Sequence, residues 1–401
     1  MPSRKLFISR IALIPILLLS FISVFLTSWI ILPAPNFFLL KFGVIAPEIC
    51  PWLFVLNVIT LFLSLIFIYQ LQIQQTVCIL SLLGLLVCSL QLATITPTQI
   101  QFDKAISQAL GADYQQKIPV EVKAQMRKQP FILTDIFRGI SLQKTRHLTN
   151  INFATPAGVP LNMEVYQPEK VGKYPAIVVI YGGAWQSGNP SVKPEFNRYM
   201  AVRGYTVFSI DYRHAPEYKF PAQLDDVNSA LNFIRDRADE YEADTDKMVL
   251  FGRSAGAHLA MLAAYEPDAP PIRAVVNYYG PVNLTKGYNE PPYPDPINAR
   301  AVLKAFLGGS PQQLPMLYET ASPINYVVPN LPPNLLIYGS RDHVVEARFG
   351  RQMYKKLRDN NTAVFLEIPW AEHSFDSIFN GVSNQLALYY TERFIAWAVN
   401  S

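Results

Sequence analysis

Ser254 stands in the run Val249-Leu250-Phe251-Gly252-Arg253-Ser254-Ala255-Gly256-Ala257-His258. An apolar stretch that reads as a buried strand breaks at a Gly-x-Ser-x-Gly turn, and Ala255 to Ala264 then reads as a helix. Glycines at 252 and 256 remove side chains where strand and helix must approach closely. The serine is therefore expected on a tight turn, hydroxyl free, with a helix N-terminus behind it. A serine hydroxyl is a weak nucleophile until a base takes its proton and an acid orients that base. The chemistry open to such a residue is acyl transfer, and its base must be one of only five histidines: His147, His214, His258, His343 and His373. The pentapeptide also arises by chance in loops, so its meaning rests on the elements around it.

Those elements begin near Leu148. Ile151 and Phe153, then Leu161, Met163 and Val165, alternate with polar neighbours around Ala157-Gly158 and predict a hairpin. Ala176 to Tyr181 and Tyr205 to Ile210 are continuous apolar runs of the kind found in strands buried on both faces. Lys247 to Phe251, Ile272 to Tyr278, Asn334 to Tyr338 and Val364 to Ile368 are further strands. Ala222 to Arg237, Glu346 to Arg358 and Asp376 to Ala398 read as helices. The alternation implies an α/β fold with a mostly parallel sheet covered on both sides, its opening hairpin antiparallel at one edge.

Two further motifs precede the serine. Tyr181-Gly182-Gly183-Ala184-Trp185 follows a buried strand, and its small residues let backbone N–H groups turn toward a ligand. Donors of that kind stabilise an oxyanion in acyl transfer, worth about 2.7–4 kcal/mol each. Asp211-Tyr212-Arg213-His214-Ala215-Pro216-Glu217 ends the next strand, followed by Phe220-Pro221-Ala222 and Asp225-Asp226. With these residues the sequence resembles the α/β-hydrolase superfamily, and within it the hormone-sensitive-lipase-like esterases and lipases. That group carries a His-Gly-Gly-Gly turn, an Asp-Tyr-Arg-x-Ala-Pro-Glu segment and Gly-x-Ser-x-Gly, in this order. The resemblance covers about residues 148–399. It departs in the first turn, where Tyr181 stands for the family's His and Ala184 for a Gly. Because the donors are backbone groups, the resemblance assigns the oxyanion site to Gly182, Gly183, Ala184 and Ala255, with the Tyr181 hydroxyl able to orient the loop.

The fold's chain order of nucleophile, acid and base then selects the partners. His147 and His214 precede the serine; His258 lies one helical turn after it and reads as a packing residue. His343 directly follows an acid and is too close to serve with it. His373, after the 364–368 strand, is the expected base, and Asp342, reached through Gly339-Ser340-Arg341, the expected acid. Asp376 is a rival acid but sits just after His373 and is expected to cap the last helix. The insertion between the 278 and 334 strands carries Tyr288, Tyr293 and Phe306, candidate lining for an acyl or alcohol pocket, with a surface excursion as the plainer alternative.

Composition bounds the rest. Of 401 residues, 50% are hydrophobic and 16% charged, and the apolar excess is concentrated in the first hundred. A net charge of +4 without a basic run argues against nucleic-acid binding. The three cysteines, Cys50, Cys78 and Cys88, lie before residue 89, which excludes a cysteine nucleophile, a structural Cys-zinc site or a disulfide framework in the later part. No metal-ligand spacing, phosphate-cradling loop or dinucleotide fingerprint is present, so no cofactor and no metal is expected.

Residues 11–32, 51–69 and 76–94 are uncharged and long enough to span a bilayer, so about three transmembrane helices are expected in a region 1–95, with a re-entering or surface loop at 33–48. Arg4, Lys5 and Arg10 precede the first span, which places the N-terminus in the cytoplasm and the later residues on the extracytoplasmic side. A connector, 96–147, shows helical spacing after Thr98 and a cluster from Phe131 to Ile140, read either as helices on the headgroups or capping the catalytic part, or as a solvated linker. The catalytic domain is 148–401. The expected function is hydrolysis of small-molecule carboxylic esters, short- or medium-chain and lipid-derived if the anchor matters. Amide cleavage of the formamidase or peptidase type, or a non-catalytic binding module, are the alternatives.

Overall fold

The computed structural model describes residues 2–401, with side-chain surroundings from Leu13 onward. Eight strands form one sheet: β1 (Arg146–Ala154), β2 (Leu161–Gln167), β3 (Tyr174–Ile180), β4 (Thr206–Ile210), β5 (Ala243–Arg253), β6 (Ala274–Tyr278), β7 (Asn334–Gly339) and β8 (Ala363–Ile368). Their order is β1-β2-β4-β3-β5-β6-β7-β8; β2 runs antiparallel to β1 and β4, and the pairs from β4 to β8 are parallel. The apolar runs read as central strands are fully buried in β4 and β6. A strand sandwiched between helices has no solvent face, so it carries no polar alternation.

Among the described residues, fifteen helices accompany the sheet. The N-terminal ones are α1 (Pro2–Ser28), α2 (Phe37–Glu48), α3 (Cys50–Phe67), α4 (Leu71–Ala93), α5 (Ile95–Leu110), α6 (Val120–Gln125) and α7 (Leu133–Arg138). Around the sheet lie α8 (Pro194–Val202), α9 (Ala222–Asp236), α10 (Ala255–Tyr265), α11 (Leu284–Asn289), α12 (Ala299–Leu307), α13 (Pro315–Thr320), α14 (Ala347–Leu357) and α15 (Val382–Asn400). This layering is the α/β-hydrolase architecture.

The N-terminal region departs from three equal spans. Among the described residues, Cys50–Phe67 and Leu71–Leu110 are long and apolar enough to cross a membrane. The helix over the expected span at 11–32 ends at Ser28, and the residues after it meet the sheet domain, where the Arg341 guanidinium donates to the Ile31 carbonyl. Arg4, Lys5 and Arg10 lie outside the residues whose side chains are described.

The helices α1, α3 and α4 pack as an antiparallel bundle. Leu13 and Ile16 meet Ile68 and Val77 at one end, while Trp29 and Ile30 meet Ala46, Leu53 and Cys88 at the other. Its burial pattern is inverted relative to a water-soluble bundle. On α3 the inward positions include Asn57, Thr60 and Ser64, and the outward ones include Val58, Phe62 and Leu65 at 43%, 61% and 59% exposure. Gly84 lies against Asn57, whose amide donates to Thr27 Oγ1 and the Leu53 carbonyl. Small and polar residues inside with apolar residues outside is the pattern helices adopt when lipid is the solvent.

Two expectations fail nearby. Residues 33–48 are not a loop throughout: Asn36 accepts from the Leu39 N–H and starts α2. Thr98 is not an N-cap, since its hydroxyl donates back to the Thr94 carbonyl within a run continuous from Leu71 to Leu110 but for the single turn residue Thr94. That run, about 60 Å long at 1.5 Å per residue, ends packed on the sheet domain. Phe102 meets the Tyr390 ring at 5.3 Å, and the Tyr390 hydroxyl donates to Asp103. The connector is therefore an extension of the bundle docked on α15 and β8, and α7 returns to it through the Trp52 indole, which donates to the Ile136 carbonyl.

Glu48, the last residue of α2, is buried and accepts from the Ser383 N–H in the first turn of α15. Burial pushes its carboxyl from the ordinary 4.5 up to about 8. The folded protein thus holds a proton there that the unfolded chain has lost above pH 4.5. The stability this proton contributes is complete below pH 4.5 and lost as pH rises toward 8, by up to about 1.4 kcal/mol per pH unit. Glu48→Gln is expected to flatten the fall in Tm between pH 6 and pH 9, measured by thermal unfolding in detergent; an unchanged slope would contradict the assignment.

Candidate active site

Ser254 follows the last residue of β5 and is the N-cap of α10, at φ 50° and ψ −120°. A Cβ on Gly256 would lie 2.1 Å from the Ile180 carbonyl oxygen, and one on Gly252 would lie 2.3 Å from Ala257 Cα. No side chain fits at either position, so the chain can turn tightly only with glycine there. The Ser254 N–H donates to the Tyr278 carbonyl at 2.9 Å, which ties the turn to β6.

His373 reaches the serine from the loop after β8, with Nε2 2.9 Å from Ser254 Oγ. Its Nδ1 lies 2.8 Å from Asp342 Oδ2. A carboxylate only accepts, so Nδ1 carries the proton and Nε2 faces the hydroxyl as the acceptor. The other Asp342 oxygen accepts from the Val344 and Val345 N–H groups at 2.8 and 2.7 Å. Both oxygens are occupied, and the carboxylate is fixed. The structure therefore brings Ser254, His373 and Asp342 into one hydrogen-bonded line.

The oxyanion candidates lie beside it. Gly183 has φ +138° and Ala184 φ +54°, and Gly182, Gly183, Ala184 and Ala255 border the same cavity as Ser254. Among the described residues, the N–H groups of Gly183, Ala184 and Ala255 have no protein acceptor. Tyr181 anchors this loop from beneath: its hydroxyl donates to Asp211, its ring stacks on Tyr212 at 4.5 Å, and His214 Nε2 lies 2.9 Å from it. Burial pushes the Tyr181 hydroxyl up, so it remains a neutral donor.

The rival acid is committed elsewhere. Asp376 is buried in a 3₁₀ turn, Phe375–Ser377, where Lys193, Arg253 and the Tyr279 hydroxyl hold it. Burial works to raise its pKa, but the Lys193 and Arg253 charges hold it well below the carboxylate range. It does not cap the last helix, which begins at Val382 with Gly381 as N-cap. His258 is buried between Trp185, 3.3 Å from its Nδ1, and the Ala321 carbonyl, 2.7 Å from its Nε2, and burial lowers its pKa to about 4.

A second acid–histidine pair was not legible in the sequence. Glu372 is buried; its Oε1 accepts from the N–H groups of His343 and His373 at 2.6 and 2.9 Å, and its Oε2 lies 2.5 Å from His343 Nδ1. The hydrogen bond to Glu372 raises the His343 pKa. Two adjacent couples, Asp342-His343 and Glu372-His373, thus pair crosswise, and Glu372 holds the acid loop to the histidine loop. The adjacency is visible in the sequence; the crosswise register is not.

These groups open into a cavity of about 730 Å³. Its upper walls are apolar, from Leu284, Pro292, Ile297, Val302 and Leu303 of the insertion after β6 and from α2. The three aromatic residues singled out in that insertion do not border it. Tyr293 is 97% exposed, Phe306 is buried against Trp185 at 4.1 Å, and Tyr288 packs on Tyr318. Aliphatic residues on the inner helix faces line the cavity instead.

The sheet domain is similar to known proteins in sequence and in fold. A family model described as BD-FAE matches residues 163–357. The chain is 31% identical over 217 residues to Esterase LipQ of Mycobacterium tuberculosis, covering 50% of each chain. To the probable carboxylic ester hydrolase LipM of the same organism it is 29% identical over 240 residues, covering 56% of this chain and 54% of that one. The chain spans about half the length of the curated relatives it matches. Among solved structures, a bifunctional GH43-CE protein of Bacteroides eggerthii aligns at 28% identity and a TM-score of 0.52, over 61% of this chain and 38% of that one. The esterase Est2 of Thermogutta terrifontis shares the fold at a TM-score of 0.50 and 24% identity, over 62% of this chain and 89% of its own.

Tyr181→Phe removes the hydroxyl that Asp211 accepts from. A destabilisation of about 1–3 kcal/mol is expected, read as a lower denaturation midpoint, and an unaltered midpoint would deny the hydroxyl its anchoring role.

Proposed function

We propose that this chain is a serine hydrolase of carboxylic esters, carried on a membrane by its N-terminal helices. The observation that carries the reading is the continuous line Asp342–His373–Ser254 opening into a cavity bordered by unpaired backbone donors. The names of the relatives support the same reaction class.

In this mechanism Ser254 Oγ attacks the ester carbonyl carbon while its proton passes to His373 Nε2. Asp342 accepts from Nδ1–H throughout and balances the charge of the imidazolium. The carbonyl oxygen becomes an oxyanion and takes hydrogen bonds from the N–H groups of Gly183, Ala184 and Ala255. His373 returns the proton to the departing alcohol as the C–O bond breaks, leaving Ser254 acylated. Water then attacks, giving its proton to His373; the ester bond to Ser254 breaks, the acid leaves, and the serine regains a proton. Short- and medium-chain acyl esters are the proposed substrates, with lipid esters included because of the helices.

The inverted bundle supports an anchor that passes the bilayer more than once, with α3 and α4 as its crossing helices. The tip between α3 and α4 lies at the end of the bundle away from the sheet domain. Together with the early basic residues this favours the catalytic part on the extracytoplasmic side. In right-side-out vesicles, a cysteine introduced at Gln70 is then expected to be shielded from an impermeant maleimide and one at Glu169 to be labelled; the opposite pattern reverses the orientation.

The decisive test is chemical. A fluorophosphonate probe is expected to label the wild-type protein and not Ser254→Ala. His373→Ala and Asp342→Asn are expected to lose about 10⁴-fold or more in kcat on p-nitrophenyl acetate, and matched anilides are expected to turn over far more slowly. A wild-type protein that takes no label, or a Ser254→Ala variant with full turnover, would falsify this reading.

A further inference from the structure

The helix α2 belongs to the N-terminal bundle by sequence, yet it forms part of the wall above Ser254. Phe37, Leu40, Lys41, Val44 and Ile45 all border the cavity. Their spacing, 37, 40/41 and 44/45, is one face of a helix. Leu284, Ile297, Val302 and Leu303 border the same cavity, as does Ser254. Aliphatic side chains of α2 and of the insertion after β6 thus share one cavity with the nucleophile.

The helix is also firmly seated. A Cβ at Gly43 would make an ordinary van der Waals contact with Glu372 Cγ of the histidine loop at 4.0 Å, and Glu48 accepts from the Ser383 N–H in the first turn of α15. Trp370, three residues before His373, packs into the apolar cluster of Ile30, Ala46, Cys50, Leu53 and Cys88. The C-terminal end of α2 passes into the apolar helix α3 through the single residue Ile49, and its N-terminal end follows α1 after the segment 29–36. Its solvent-facing side carries Phe38, 66% exposed, and the Lys41 ammonium lies 5.6 Å over that ring. An aromatic residue beside a snorkelling lysine suits the boundary between hydrocarbon and headgroups.

We propose that α2 is a substrate-binding wall and that the substrate is a bilayer-partitioning ester with an apolar chain of medium length or longer. The chain lies between α2 and the α11–α12 insertion, with its ester carbonyl at Ser254. This rests on the serine-hydrolase reading above. Each methylene of the chain that is removed from water adds favourable free energy, so the walls set chain-length preference in a way the reacting groups do not. A substrate held in the outer part of the membrane reaches the cavity beside α2 without leaving its apolar surroundings.

The test uses the full chain in detergent micelles. In Val44→Trp on one wall and Ile297→Trp on the other, an indole fills the cavity. Relative rates are measured for p-nitrophenyl octanoate against the acetate, and for octyl acetate against ethyl acetate, so that a chain on either side of the ester is seen. The octyl-to-short ratio is expected to fall at least tenfold in one series for both variants. Unchanged ratios in both series overturn the proposal while Ser254 still takes the fluorophosphonate label. If one variant fails to fold, the ratio in the other decides. Absence of label on the wild-type protein instead overturns the underlying reading and not the placement of α2.

Discussion

Ser254 is held at a positive φ that an L-residue with a side chain rarely adopts. Such a conformation persists only where its surroundings over-determine it, and here they do. The Ile180 carbonyl approaches Gly256 too closely for any side chain, Ala257 crowds Gly252, and the serine N–H is bonded to Tyr278. Three neighbouring strands, β3, β5 and β6, thus converge on one turn. The fully buried sheet interior is what makes the convergence rigid, and the hydroxyl projects above it because the backbone has no other route from β5 into α10.

Everything else at the site is arranged relative to that projection. The loops after β7 and β8 emerge side by side because those strands pair in parallel register from Asn334↔Ala363 to Gly339↔Ile368. They are then locked together by backbone bonds, such as Arg341 N–H to the Ala371 carbonyl, and by Glu372 accepting from both His343 and His373. Fixing an imidazole within hydrogen-bonding reach of a hydroxyl demands this double support. A loop held only at its ends would let the ring swing away. The cations Lys193 and Arg253 keep Asp376 charged and occupied, so only one carboxylate is presented to His373 Nδ1.

The N-terminal helices enter this arrangement as structure and not merely as a tether. The bundle buries Asn57, Thr60 and Ser64 and turns Phe62 and Leu65 outward, while its near end contributes α2 to the cavity and receives Trp370 from the histidine loop. Bundle and hydrolase body share side chains at their junction, and the connector extends α4 into α5 with a single interrupting residue. A domain hung on a flexible linker would show none of these contacts.

The sequence by itself determined the layered α/β architecture, because strands buried on both faces leave continuous apolar runs and the Gly-x-Ser-x-Gly turn tolerates no bulk. It singled out Ser254, Asp342 and His373 through the order of elements, and Tyr181 as the place where the oxyanion turn is unusual. Only the tertiary structure decided what depends on distant segments meeting. The crosswise pairing of His343 with Glu372 and the double commitment of Asp376 are of this kind. So is the aliphatic lining that replaced the expected tyrosines, because which face of an insertion helix turns inward is set by what it packs against. The helix α2 is the clearest instance. Its apolar residues have the same composition as a membrane span, and composition cannot distinguish a side chain facing lipid from one facing a catalytic cavity. That distinction is made by the sheet domain lying beneath it.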